Sequence, residues 1–309
     1  MKKLKVVFMG TPDFSVPILK ELIKNTNVVL VVTSPDAYIG RKRILTECPV
    51  KKTALLNNIP VFSPKDIRKD YKEIINIEPD IIITCAYGQI IPKILLDLPP
   101  LGCINIHASL LPKYRGGAPI HHAIIKGDKK TGITIMYMDE KMDSGDMIKS
   151  QSIKIDDYDN IETLSSKLSI LGTKMIIEVL PSIISGTNKK IKQNIKQVTY
   201  APIITREDEK LDFNMLSADV FNKIRALSPA PLAYFKMLNT EFKIVECEVT
   251  SAIGTTSTVI SVDKTSFTIM CLDKGIKITK IKPKGKNIMS TKDFFNGFNK
   301  EELLDKEVL

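Results

Sequence analysis

The sequence predicts an α/β protein with a mostly parallel sheet, followed by a small C-terminal β-barrel. Three observations predict it. Continuous apolar runs of strand length recur at residues 5–9, 28–33, 81–85 and 103–106, with helical segments among them. Strands that are apolar on both faces belong in parallel sheets covered by helices on both sides. After residue 207 the pattern changes to short strands punctuated by turn signals, which suits a small barrel. The chain has 309 residues, enough for two domains at roughly 100–200 residues each.

Taken in order, residues 5–9 read as a buried strand because Val6, Val7 and Phe8 are β-branched or aromatic in a row. Gly10, Thr11, Pro12 and Asp13 make a turn. A helix then runs to about Lys24, with Pro17 near its first turn, where a missing N–H does no harm. Residues 28–33 form a second strand, 53–58 a short helix, 81–85 a third strand and 103–106 a fourth. Residues 132–138 and 147–155 are further strands, joined through a tight turn at Asp143, Ser144, Gly145 and Asp146. Leu164, Leu168, Leu171, Met175, Ile176 and Val179 have helical spacing. Residues 189–205 are polar, basic and without clear period, which reads as a linker. A short helix at 218–227 is stopped by Ser228-Pro229-Ala230-Pro231, and strands follow at 242–249, 259–262, 266–272 and 276–281. The expected division is residues 1–189, a linker at 190–206, and a second domain at 207–309.

Hydrophobic residues at 43% and charged residues at 26% argue for a globular chain rather than a disordered one. The net charge of +10 suggests a polyanionic partner without requiring one. Cys48, Cys85, Cys103, Cys247 and Cys271 are odd in number and form no CxxC pair, so neither a disulfide framework nor a cysteine zinc site is expected. The apolar run after Lys2, Lys3 and Lys5 breaks at Gly10, too soon for a signal peptide or a membrane span. A cytoplasmic protein without a membrane contact is expected.

The chemistry concentrates between residues 101 and 120. Asn105 and His107 are two apart in a strand, so their side chains share a face. They stand at the strand's carboxyl end, where open α/β sheets bind ligands. An Asn amide can donate to a developing oxyanion, and a His can move protons or stabilise the same charge. Taken alone, the pair fits better two side chains that only tie down loop backbone. Three further features favour chemistry. Ser109, Leu110, Leu111 and Pro112 precede Tyr114-Arg115-Gly116-Gly117, whose glycines allow close backbone approach to a ligand. Asp143 is a carboxylate on a turn after a strand, able to orient a His or relay a proton through water. Ala86, Tyr87, Gly88, Gln89 and Ile90 follow the 81–85 strand at the same sheet edge.

These residues carry a resemblance along nearly the whole chain. Phe8-Met9-Gly10-Thr11-Pro12-Asp13-Phe14, Ala86-Tyr87-Gly88, Gly102-Cys103-Ile104-Asn105-Ile106-His107, Ser109-Leu110-Leu111-Pro112, Tyr114-Arg115-Gly116 and Asp143-Ser144-Gly145-Asp146 resemble the folate-dependent formyltransferases. The opening segment and the second domain resemble the branch acting on methionyl-tRNA. The resemblance implies a Rossmann-like formyltransferase domain and an OB-like C-terminal barrel. It implies 10-formyltetrahydrofolate as donor, methionyl initiator tRNA as acceptor, and no metal; a monomer is expected. It also implies that Asn105, His107 and Asp143 are catalytic, that Ser109, Leu110, Leu111 and Pro112 contact folate, and that Ala86, Tyr87, Gly88, Gln89 and Ile90 line the pterin pocket through backbone groups.

On the acceptor side, Arg41, Lys42 and Arg43 are consecutive cations on a loop able to grip phosphates. The family has an Arg-Pro pair where this chain has Ala37 and Tyr38. In extended chain Lys280, Lys282, Lys284 and Lys286 would share one face, suited to backbone contact with tRNA or to protecting a sheet edge. The family's usual Trp between the two prolines at 229 and 231 is Ala230 here. A dinucleotide-binding dehydrogenase is disfavoured, because Gly10-Thr11-Pro12 lacks the G-x-G-x-x-G spacing and Pro12 removes an N–H where phosphate cradling needs one. A formyltransferase acting on a small amine, such as a purine precursor or an amino sugar, is the main alternative. A non-catalytic tRNA-binding protein would not require Asn105, His107 and Asp143 together.

Overall fold

A computed structural model describes residues 1, 3–40 and 43–308. The first elements are β1 (Lys5–Gly10), α1 (Val16–Asn25), β2 (Asn27–Val32), a hairpin of β3 (Ala37–Ile39) and β4 (Ile44–Thr46), α2 (Pro49–Leu56), β5 (Val61–Phe62) and α3 (Lys72–Ile77). Then come β6 (Ile81–Cys85), α4 (Lys93–Leu96), β7 (Cys103–His107), α5 (Pro119–Ile125), β8 (Lys130–Tyr137), β9 (Met147–Lys154) and α6 (Ile161–Ile184). The last part contains α7 (Ser217–Leu227), β10 (Tyr234–Met237), β11 (Thr240–Thr250), β12 (Val259–Val262), β13 (Phe267–Met270), β14 (Gly275–Pro283), β15 (Met289–Ser290) and α8 (Thr291–Phe295). The helix expected at 53–58 starts earlier, at Pro49, because Cys48 caps it and proline suits the first turn.

The chain divides into two compact units. One comprises residues 1–119, 130–154 and 165–202; the other comprises 120–129, 155–164 and 203–309. The first unit holds a seven-stranded sheet in the order β5-β2-β1-β6-β7-β8-β9. Its first five strands are parallel and β8 and β9 are antiparallel. The parallel strands are buried throughout their centres: Val6 to Met9, Ile81 to Cys85 and Val31 to Val32 are all buried. Burial on both faces is the physical reason that these runs are continuous rather than alternating. The carboxyl ends of β1, β6 and β7 lie side by side, with Gly10 opposite Cys85 and Thr84 opposite Asn105. Loops 11–13, 86–90 and 108–118 therefore leave one edge of the sheet.

The second unit carries a six-stranded antiparallel sheet, β10-β11-β14-β13-β12 with β15 on β14. Its longest strand, β11, is irregular at Ile244–Cys247, and bulges of this kind let a long strand bend so that a sheet curls into a barrel-like form. Phe213, Phe235, Phe242 and Phe294 form its centre; Phe235 and Phe242 stack at 5.6 Å, and Phe294 meets Phe242 edge-on at 5.7 Å. Aromatic stacking and T-shaped pairs add about 0.5–1.5 kcal/mol each beyond the area they bury, and they fill a core that contains no Trp. Ala230 is exposed.

The lysine row differs from expectation. Lys280 and Lys282 lie on β14, but that strand ends at Pro283 and Lys284 and Lys286 sit in a turn around Gly285. Lys286 donates its N–H back to the Pro283 carbonyl at 3.0 Å and places its ammonium 5.9 Å over the Phe294 ring. Spacing of two implies one face only while the chain stays extended.

Candidate active site

Asn105 and His107 stand at the end of β7, opposite Met136 and Thr134 of β8. Their side chains meet Asp143, on the loop joining β8 to β9. The Asn105 amide donates to Asp143 Oδ1 at 3.4 Å, and His107 Nδ1 lies 3.7 Å from Asp143 Oδ2. A carboxylate only accepts, so the amide NH2 faces Asp143 and its carbonyl oxygen accepts from the Thr84 hydroxyl at 2.9 Å. His107 Nε2 lies 2.9 Å from the Tyr114 carbonyl oxygen. That oxygen has no hydrogen to give, so Nε2 carries one and Nδ1 is the nitrogen turned toward Asp143. A proton taken up at Nδ1 would be held between imidazole and carboxylate. His107 is buried and Asn105 half-buried.

Asp143 is itself oriented by backbone. Its Oδ2 accepts the Gly116 N–H at 2.8 Å, and its own φ of 48° puts a non-glycine residue in the left-handed region. Two glycines make this possible. A Cβ on Gly145 would lie 1.9 Å from the Tyr137 carbonyl oxygen, and one on Gly116 would lie 2.7 Å from that of Ala201. The close approach expected at Gly116 is thus made by the protein's own main chain.

The 109–112 segment is stitched down by Thr134. Its hydroxyl donates to the Ser109 carbonyl at 2.7 Å and accepts the Leu111 N–H at 3.1 Å. The Ser109 hydroxyl is spent on the Lys113 carbonyl at 2.6 Å. In the 86–90 loop Ala86, Gly88 and Ile90 are exposed, while Tyr87 is buried. Ala86 and Gly88 both have positive φ. The Gln89 side chain is tied to the 64–67 segment: it accepts the Ile67 N–H at 2.9 Å and donates to the Pro64 carbonyl at 3.1 Å. Thr84, Thr134 and Gln193 escaped the sequence reading, because each acts through a tertiary contact that leaves no local pattern.

On the acceptor side Arg41 and Lys42 lie outside the described residues. Arg43 is exposed beside them, its guanidinium 5.5 Å from the centre of the exposed Tyr38 ring. Lys280 is paired with Glu246 at 2.9 Å, and Lys282 is exposed opposite Lys243. Among the described residues no cluster of three His, Cys, Asp or Glu could hold a metal ion, and no helix is long and apolar enough to cross a membrane.

Residues 2–180 match the formyl transferase family and residues 203–299 match the formyl transferase C-terminal domain. A methionyl-tRNA formyltransferase of Macrococcus caseolyticus is 45% identical over 295 residues, 95% of this chain and 95% of that protein. One from Staphylococcus aureus is 45% identical over 298 residues, covering 95% and 96%. A solved methionyl-tRNA formyltransferase from Clostridium thermocellum superposes with a TM-score of 0.57 at 18% identity, over 82% of this chain and 96% of that one. WlaRD, a sugar 3N-formyl transferase, superposes with a TM-score of 0.67 at 24% identity, over 93% and 100%. Likeness at these low identities shows the shared fold, and the 45% identities reach across both units. This chain belongs to the formyl transferase family, in the branch of the methionyl-tRNA formyltransferases.

Proposed function

We propose that the protein transfers the formyl group of 10-formyltetrahydrofolate to the α-amino group of methionyl initiator tRNA, giving formylmethionyl-tRNA for translation initiation. The observation that carries this reading is the 45% identity to methionyl-tRNA formyltransferases across 95% of the chain. A small-amine acceptor is not favoured, since that identity extends through the second domain.

The proposed chemistry uses Asn105, His107 and Asp143. The methionyl amine adds to the formyl carbon, a C–N bond forms, and an electron pair moves onto the formyl oxygen. One Asn105 N–H faces Asp143 and the other donates to that oxygen, and His107 supports the same charge once it holds a proton. The amine proton passes to His107 Nδ1 or to a water held by Asp143. Collapse returns the electron pair and breaks the bond to folate N10, which takes a proton. The products are formylmethionyl-tRNA and tetrahydrofolate. For the donor, the exposed residues Ala86, Gly88 and Ile90 are available for contact. The Ser109 hydroxyl, the Leu111 N–H and the Gln89 amide are already used internally, so Ser109, Leu110, Leu111 and Pro112 would meet the donor through surface and remaining backbone, and Tyr87 and Gln89 through their backbone groups.

Residues 1–189 are proposed as the catalytic domain and 207–309 as the tRNA-binding domain, joined by 190–206. Arg41, Lys42, Arg43 and the lysines at 280, 282, 284 and 286 are proposed phosphate contacts, and the protein is proposed to act as a cytoplasmic monomer. The test offers formyl-labelled 10-formyltetrahydrofolate together with charged methionyl-tRNA or free amines. Label on methionyl-tRNA is expected, and transfer only to a sugar or ribonucleotide amine would overturn the acceptor. Loss of one oxyanion donor costs ~100–1000-fold in rate, so Asn105→Ala should lose that much kcat while folding normally.

A further inference from the structure

Gln193 lies in the polar stretch after α6, where nothing in the sequence marks it. In the folded chain, residues 188–201 run as a strap past the site. Ile191 exchanges both backbone hydrogen bonds with Met147, the first residue of β9, at 2.8 and 2.9 Å. Tyr200 bridges Arg115, whose N–H donates to the Thr199 carbonyl at 2.9 Å and whose carbonyl accepts from Ala201 at 2.8 Å. The Gln193 side chain falls between these two anchor points. Its Nε2 donates to the Asp143 carbonyl at 2.8 Å and to the Gly145 carbonyl at 2.9 Å. Its Oε1 accepts from the buried Arg115 guanidinium twice, from Nε at 3.1 Å and Nη2 at 2.8 Å.

The full hydrogen-bonding capacity of one amide is used, two donors and two lone pairs. Guanidinium can only donate and peptide carbonyls can only accept, so the amide has a single orientation. The carbonyls it holds belong to Asp143 and Gly145, on either side of Ser144. Asp143 is in the left-handed region and its carboxylate reaches Asn105, His107 and the Gly116 N–H. A non-glycine residue in that conformation persists only where its surroundings over-determine it. Arg115 is next to Gly116 in sequence, so the Arg115–Gln193 pair links the main chain on both sides of the carboxylate.

We propose that Gln193, locked by Arg115, is a positioning residue for the transfer reaction: it sets where the Asp143 carboxylate stands without touching substrate. The inference rests on Asp143 being part of the chemistry. It predicts a split between kcat and KM, because misplacing a catalytic group by about 1 Å can cost ~100-fold in rate. Gln193→Ala leaves both carbonyls without their partner. Gln193→Glu keeps the shape and the Arg115 pair but points an oxygen at two carbonyl oxygens. The experiment compares these two variants with Asp143→Asn and with the Asp143→Asn, Gln193→Ala double variant, each as the full chain checked for folding by thermal melting. Both Gln193 variants are expected to lose kcat roughly 10–100-fold with KM for methionyl-tRNA and for folate near wild type. In the Asp143→Asn background Gln193→Ala should add almost nothing, since the two act through one group. Wild-type kcat in Gln193→Glu, or an equal further loss of kcat from Gln193→Ala in both backgrounds, overturns the inference while leaving the catalytic reading intact. Full activity of Asp143→Asn alone overturns that reading instead.

Discussion

The Tyr87 hydroxyl is buried without a hydrogen-bond partner among the described residues. Its ring packs in the cluster of Val7, Met9, Ile67, Ile82 and Leu95 beneath the sheet edge. Burial, with Asp66 adding a smaller part, pushes its phenol up to about 12. An unsatisfied buried hydroxyl costs about 1–3 kcal/mol, so Tyr87→Phe should stabilise the protein by about 1 kcal/mol in thermal or urea unfolding. The folate KM should stay close to wild type, because Tyr87 is buried while its neighbours Ala86 and Gly88 are the exposed residues. A lower melting temperature would mean that the hydroxyl is bonded after all. Asn105 is the opposite case at the same scale. Its amide oxygen is committed to Thr84 and its NH2 faces Asp143, so its orientation is set before any substrate arrives.

At the scale of elements, turns do much of the positioning. The turn between β12 and β13 closes on Asp263. Its Oδ2 accepts from the Ser266 hydroxyl at 2.6 Å, and its Oδ1 accepts the N–H groups of Thr265 at 2.6 Å and Ser266 at 2.8 Å. These bonds, the Ser266 hydroxyl foremost, hold the carboxyl down to about 2. A depressed carboxyl stabilises the fold at pH above its unfolded value, about 3.9, and that stabilisation disappears as pH falls through about 2. Asp263→Ala should therefore be less stable than wild type at neutral pH, with the difference shrinking between about pH 4 and pH 2. Urea midpoints at several pH values test this; a gap that persists unchanged at low pH would refute it. The loop from β8 to β9 depends on tertiary partners instead, which is why its sequence shows only a turn.

For the whole molecule, the +10 charge meets the proposed tRNA acceptor through counterion release. The KM for methionyl-tRNA should rise steeply with salt. Lys282 is exposed on β14 opposite Lys243. Lys282→Ala should flatten the log–log salt slope by about 1 if it contacts a phosphate, whereas Lys280, already paired with Glu246, should contribute less. A tRNA KM that ignores salt would remove the phosphate-contact proposal.

Much of this was readable from the chain alone. The apolar runs at 81–85 and 103–106 are strands because a two-sided buried sheet demands continuous hydrophobicity, and that demand is local. The spacing of Asn105 and His107 put them on one face for the same reason, since strand geometry has a period of two. Other features were decided only by tertiary structure. The lysines at 284 and 286 left the row because β14 ends at Pro283, and helix α2 reached back to Cys48 through its cap. Asp143 meets Asn105 and His107 across 38 and 36 residues of sequence, and Gln193 pins it from 50 residues further on. Local sequence encodes periodicity and turn chemistry. Which polar group finds which partner depends on how the loops close over the sheet, and only the folded chain brings those groups within hydrogen-bonding distance.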